Sequence, residues 1–182
     1  IIFGSNDGAV RCHNRNLDEI VWDTKLGPTA RIWSNVSFSK KHNKIYLITS
    51  NAGGLIAKNR PPDTYSSSLV AIDASDGTLK FSHQMINDDV WDFDGVGRPI
   101  YVEGFVNDDG KIYDLIIGLN KTGTIFVVNA ENGSPIKNKQ FVEKKPEAKY
   151  YYELEDSSLK FSFPMPERLD GINSTSKSIL KM

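Results

Sequence analysis

Apolar residues along this chain come in short runs punctuated by Gly, Asn, Asp and Ser, the spacing expected of strands joined by turns. The clearest run is Leu69-Val70-Ala71-Ile72-Asp73, followed by Ala74-Ser75-Asp76-Gly77 and then Thr78-Leu79-Lys80-Phe81. Ile125-Phe126-Val127-Val128-Asn129-Ala130-Glu131-Asn132-Gly133 repeats it and degrades at Ser134-Pro135-Ile136. An earlier copy reads Val10-Arg11-Cys12-His13-Asn14, a turn over 15–18, then Glu19-Ile20-Val21-Trp22. The copies start 59 and 56 residues apart, an interval with room for four strands. Asp76-Gly77 and Asn132-Gly133 put glycine where a tight hairpin turn needs a positive φ. A further apolar strand precedes each hairpin, at 1–3, 45–48 and 115–117, and shorter innermost strands near 36–38 and 100–102 precede the latter two. Each repeat therefore reads as strands A, B, C and D. No segment carries a long helical periodicity, so the predicted class is all-β.

A four-stranded repeat of this length predicts a β-propeller of antiparallel blades. The expected blades lie near 1–24, 34–84 and 99–142, together a partial propeller over 1–142. Residues 143–182 are expected to form an irregular connection toward a following blade, disordered in part at the Ser-rich end. The chain opens on Ile1 inside a strand, without an initiator Met, which reads as a piece of something longer. With 22 Lys+Arg against 23 Asp+Glu, the overall charge gives no reason to expect nucleic acid or an anionic membrane as partner. The basic residues Lys137, Lys139, Lys144 and Lys145 are interleaved with Glu143 and Glu147, as on a solvated surface. Cys12 is the single cysteine, which excludes an internal disulfide and a Cys-x-x-Cys-His haem attachment within these residues. His13, His42 and His83 lack the mutual spacing of a metal site.

In an antiparallel four-stranded blade, the loop from B to C and the loop from D to the next A open on the same face. Trp33 and Trp91-Asp92 fall in D-to-A loops, and Asn51 and Lys121 fall in B-to-C loops. One face is thus expected to gather an indole, an amide oxygen, a carboxylate and an ammonium, the convergence a cofactor pocket needs. Taken singly, each has an ordinary alternative: a core or docking tryptophan, a turn asparagine, a carboxylate capping its own loop, a solvated lysine.

Ala71, Asp73, Gly77 and Phe81 resemble the docking motif Ala-x-Asp-x-x-x-Gly-x-x-x-Trp of the pyrroloquinoline quinone (PQQ)-dependent alcohol and sugar dehydrogenases, with Phe in the final Trp place. Trp22 keeps that Trp in the first repeat but has Asp18 in the Gly place. The resemblance extends from Trp33 to Gly133 and is carried by Tyr65-Ser66-Ser67-Ser68, Asp89-Val90-Trp91-Asp92-Phe93-Asp94 and Asn120-Lys121-Thr122-Gly123-Thr124. It implies about three blades of eight, with Trp33 stacked beneath the planar PQQ. It also implies Asn51 and Asp92 at a calcium ion, Asp92 as general base, and Lys121 on the quinone oxygens. Lys at that place is more like the sugar and polyol members than the alcohol enzymes, which often use Arg. The implied reaction is oxidation of an alcohol, polyol or aldose by hydride transfer to calcium-bound PQQ. A quinone or cytochrome c would be the electron acceptor, and the location periplasmic or otherwise extracytoplasmic.

This chain departs from many relatives in having Asn87-Asp88-Asp89-Val90-Trp91-Asp92, without the His that precedes their Asp-x-Trp-Asp. The glutamate calcium ligand and the vicinal disulfide of several relatives have no counterpart here and are expected upstream, so the chain by itself is expected to be inactive and its cut blade edges to associate. Two other functions fit the same repeat, a non-catalytic scaffold of the outer-membrane assembly kind and a carbohydrate-binding module. The joint presence of Trp33, Asn51, Asp92 and Lys121 is what separates the enzyme from these.

Overall fold

The computed structural model describes residues 1–27, 30–51, 65–86, 93, 95, 97–107, 110–121, 124–140, 151–155 and 158–162. The chain divides into two compact units, Ile1–Phe141 and Val142–Met182. The first holds three antiparallel meanders in chain order. They are β1 (Ile2–Gly4), β2 (Ala9–His13) and β3 (Ile20–Lys25); β4 (Ser37–Ser39), β5 (Lys44–Ile48), β6 (Ser68–Asp73) and β7 (Leu79–Gln84); and β8 (Ile100–Val106), β9 (Ile112–Leu119), β10 (Thr124–Asn129) and β11 (Pro135–Gln140). The second unit holds one hairpin, β12 (Tyr151–Glu155) with β13 (Ser158–Ser162), in the register Tyr151↔Ser162 to Glu155↔Ser158. Among the described residues no helix is long and apolar enough to cross a membrane.

The middle sheet is covered on both faces, and its sequence says why. Side chains alternate across a strand, so a strand buried on one face alternates apolar and polar, whereas β5 and β6 are apolar nearly throughout. Ile45, Leu47, Val70 and Ile72 pack with Val10, Trp22, Leu26, Ala30 and Ile32 of the first sheet and the segment after it. Tyr46, Ile48, Leu69 and Ala71 point the other way, onto Ile116, Phe126, Val128 and Ala130 of the third. Each fully buried Ile, Leu or Val contributes about 1.5–3 kcal/mol. This face-to-face stacking of meanders is the propeller architecture.

Neighbouring sheets are keyed together by an aromatic ring on one and a turn glycine on the next. Gly77 has φ +77°, and a Cβ there would lie 2.7 Å from Trp22 Cε3; Gly133 has φ +76°, and a Cβ there would lie 2.6 Å from Phe81 Cγ. Only glycine allows both that backbone conformation and that approach. At the first junction the Trp22 indole N–H also donates to the Ala74 carbonyl at 3.3 Å. Phe81 has no such donor, and at the second junction the equivalent carbonyl, that of Ala130, instead accepts a 2.9 Å bond from the buried Tyr46 hydroxyl.

Three details go beyond the sequence reading. In the first repeat, where Asp18 holds the motif's glycine place, the left-handed residue is Leu17, φ 65°, because that turn closes with Leu17 N–H on the Asn14 carbonyl while Gly77 N–H reaches Asp73 one residue further back. The innermost strand of the third sheet does not stop at Val102. A bulge between Val102 and Phe105, with Gly104 at φ +71°, lets it resume and pair Phe105 with Tyr113. His42, unassigned by sequence, bonds the nearly buried Asp114 of the next sheet at 2.7 Å, on the same carboxylate oxygen that takes Lys41 Nζ at 2.7 Å. Burial pushes the Asp114 carboxyl up, but the bonds from Lys41, the Gly104 N–H and His42 outweigh it and hold the group at about 2.

Candidate functional site

Trp33 lies between β3 and β4, on a segment that alternates like a strand: Ala30 and Ile32 are buried, Arg31 and Trp33 are not. Ile32 N–H donates to the Ser5 carbonyl at 3.1 Å, and the Arg31 carbonyl accepts Ser50 N–H at 2.8 Å. With Ile32 fixed in the core, alternation turns the indole of Trp33 outward, and it is 64% exposed. Asn51, half-buried, follows β5 on the adjoining B-to-C loop. The base of that loop is a network of buried hydroxyls. Thr49 Oγ1 donates to the Tyr65 carbonyl and accepts Ser68 N–H at 2.9 Å, Ser67 N–H meets the Ser50 carbonyl at 2.7 Å, and Ser68 Oγ meets the Ser66 carbonyl at 2.7 Å. These bonds satisfy backbone groups that the end of the β5–β6 ladder leaves over, and so hold Asn51 to the sheet.

Lys121 follows β9 on the B-to-C loop of the next sheet, and its Nζ stands 5.4 Å from the centre of the Trp33 ring. Two residues 88 positions apart in the chain, on different sheets, are thus in cation–π contact. Asn120, beside Lys121, pairs with Gly95 in an isolated antiparallel bridge. A Cβ at Gly95 would collide with Ile48 Cγ2 and lie 2.8 Å from Met85 Cε, so the chain passes over the middle sheet there only as glycine. Asp92 and Trp91 lie outside the described residues. Of the four sequence-predicted site residues, the structure brings Trp33 and Lys121 together and sets Asn51 on the loop adjoining Trp33. Sequence reasoning missed Gly95, whose signal was a lone glycine after Trp91-Asp92-Phe93-Asp94, and Ser34, which carries no signal in sequence.

An exposed aromatic face with an ammonium over it suits a planar, anionic ring system. PQQ has that shape and charge, and the pair fits it. Asn51 offers one neutral oxygen donor; among the described residues no cluster of three or more His, Cys, Asp or Glu side chains exists to hold a metal. A divalent cation here would need further oxygen donors beside the Asn51 amide.

Fold and rim define a β-propeller protein whose loop face carries a ring-and-cation site. The family model for the glucose/ethanol/alcohol dehydrogenase β-propeller domain, PQQ, matches residues 10–158, and the chain belongs to that family. It is 32% identical to the quinoprotein glucose dehydrogenase of Escherichia coli over 145 residues, covering 69% of this chain and 18% of that protein. It is 33% identical to the quinoprotein alcohol dehydrogenase PedH of Pseudomonas putida over 126 residues, covering 68% of this chain and 21% of that protein. Among solved structures, the quinohemoprotein alcohol dehydrogenase from Comamonas testosteroni superposes with a TM-score of 0.67 at 20% identity, over 78% of this chain and 27% of that one. The chain spans about a fifth of the length of these curated relatives.

Proposed function

We propose that the protein is a PQQ-dependent dehydrogenase oxidising an alcohol, polyol or aldose, and that this chain supplies part of its quinone site. The observation that carries the reading is the Lys121 ammonium 5.4 Å over the exposed Trp33 ring, in a chain of this family. Trp33 gives the ring system a flat apolar platform at low entropic cost. Lys121 stands where negative charge developing on the quinone oxygens is stabilised by a positioned cation. Asn51 offers its amide oxygen to calcium, and Asp92 both supplies a carboxylate to that cation and takes the hydroxyl proton of the substrate as general base. Asp92 precedes Gly95 by three residues, and the Gly95–Asn120 bridge ties the chain just after it to the strand end that bears Lys121. What the cofactor supplies when bound is a two-electron acceptor for the hydride leaving the substrate carbon. The proton and hydride removed together convert the carbinol to a carbonyl. A quinone or cytochrome c as onward acceptor, and an extracytoplasmic location, complete the reading.

The test is reconstitution of the full-length protein with PQQ and calcium, followed by dye-reduction assays on alcohols and aldoses. Retained quinone absorbance and turnover are expected, with quinone retention weakened and turnover reduced in Trp33→Leu and turnover lost in Asp92→Asn. A wild-type protein that retains no quinone and turns over no substrate overturns the proposal.

A further inference from the structure

We propose that Ser34 is the positioning residue for Trp33, fastening the indole's loop to the strand end that carries Asn51; this rests on the quinone-site reading above. Strand β4 is only three residues long, and its ladder with β5 ends at Ser37↔Tyr46. Carried two residues further, the same register sets Asn35 opposite Ile48. There the hydroxyl of Ser34 reaches the carbonyl of Ile48, a fully buried residue, at 3.1 Å. A side chain thus continues the attachment of the innermost strand beyond the end of its ladder.

Trp33 sits between this bond and the one from Ser50 N–H to the Arg31 carbonyl, 2.8 Å, on its other side. Both clamps end on the same short stretch, Ile48 to Ser50, which leads directly into Asn51. An indole 64% exposed has few packing contacts to fix its place, so its position is set by the backbone on either side. Ser34 supplies one of those two restraints. A second hydroxyl, that of Ser37 on β4 itself, bonds the Pro99 carbonyl just before β8, so the short β4 is tied both to its own sheet and to the next. Of these two hydroxyl bonds, only that of Ser34 is made by a residue next to the indole; on its other side Ile32 N–H holds to the Ser5 carbonyl.

The experiment is equilibrium titration of PQQ into calcium-loaded full-length protein, with near-UV circular dichroism of the bound complex and thermal unfolding measured in parallel. Ser34→Ala and Ser34→Val remove the hydroxyl; Ser34→Thr keeps it. The expected result is roughly tenfold weaker PQQ binding and a reduced induced dichroism in Ala and Val, the equivalent of one lost hydrogen bond to a buried carbonyl, with near wild-type behaviour in Thr. Ser34→Ala added to Trp33→Leu is expected to weaken binding no further, because the hydroxyl acts through the indole. If wild type binds PQQ and the Ala and Val variants bind equally well, or if Ser34→Ala weakens binding as much without Trp33 as with it, Ser34 has no positioning role. If wild type binds no PQQ, the quinone-site reading itself fails and the role falls with it.

Discussion

Replacing Tyr46 by Phe should unpick the junction between the second and third sheets by a single hydrogen bond. Tyr46 is fully buried, its ring is stacked on Tyr101 at 6.0 Å, and its hydroxyl is the donor to the Ala130 carbonyl at 2.9 Å. Burial pushes the phenol up, so the donor proton is present at any working pH. Tyr46→Phe keeps the ring and its stacking and leaves a buried carbonyl without this partner, a cost of about 1–3 kcal/mol. For a chain of this size each kcal/mol lowers Tm by roughly 2–4 °C. The first junction shows the remedy, since Trp22 supplies the equivalent bond to Ala74 from the ring that keys against Gly77. Phe81→Trp should therefore recover at least half of the loss in the Tyr46→Phe background. In the wild-type background, where the carbonyl is already satisfied, it should give no comparable gain. Any overpacking by the larger ring is common to both backgrounds and cancels in the double-mutant cycle. Urea unfolding followed by far-UV circular dichroism on the four proteins measures the coupling, expected at about 1 kcal/mol. A coupling indistinguishable from zero would refute the claim that Tyr46 stands in for a missing tryptophan.

Four other outcomes are expected. The Asp114 carboxyl is held at about 2 against an ordinary 3.8, so its contribution, about 2 kcal/mol, is fully present above the unfolded value and is lost as pH falls through the folded one; acid titration of stability should flatten below pH 4 in Asp114→Asn. Gly133→Ala combines a left-handed backbone with a Cβ set against Phe81, and should lose about 2–4 kcal/mol in denaturant unfolding. Leu17→Asn relieves a left-handed Leu that is 56% exposed and should gain about 0.5–1 kcal/mol in the same assay. Gly95→Ala, which cannot pass over Ile48 without moving, should lower kcat of the reconstituted full-length protein at least tenfold, the effect of a misplacement near 1 Å at the reacting groups, while PQQ affinity falls less.

Much of the fold was legible because its determinants are local. The Asp-Gly and Asn-Gly turns announce the C–D hairpins, and the unbroken apolar runs of β5 and β6 announce a sheet covered on both sides. Loop type alone put Trp33 and Lys121 on one face, and the structure joins them. What escaped depends on partners far away in the chain. Nothing near Tyr46 signals a carbonyl 84 residues on, and nothing near His42 signals Asp114, 72 residues on. Pattern reading also misses features that turn on one residue of hydrogen-bond geometry. Leu17, one residue before the motif's glycine place, is left-handed, and a bulge lets β8 run past Val102, since periodicity has no means of announcing an inserted residue.

The keying of Trp22 against Gly77 and of Phe81 against Gly133 falls at the C–D turns, the opposite end of the strands from Trp33, Asn51 and Lys121. Cohesion and the proposed quinone site therefore occupy separate ends of the same strands. Changes at the loop end are thereby uncoupled from the glycine keys. New preferences at the rim are accessible to loop grafting, and to natural insertion and deletion, with little penalty to the scaffold beneath.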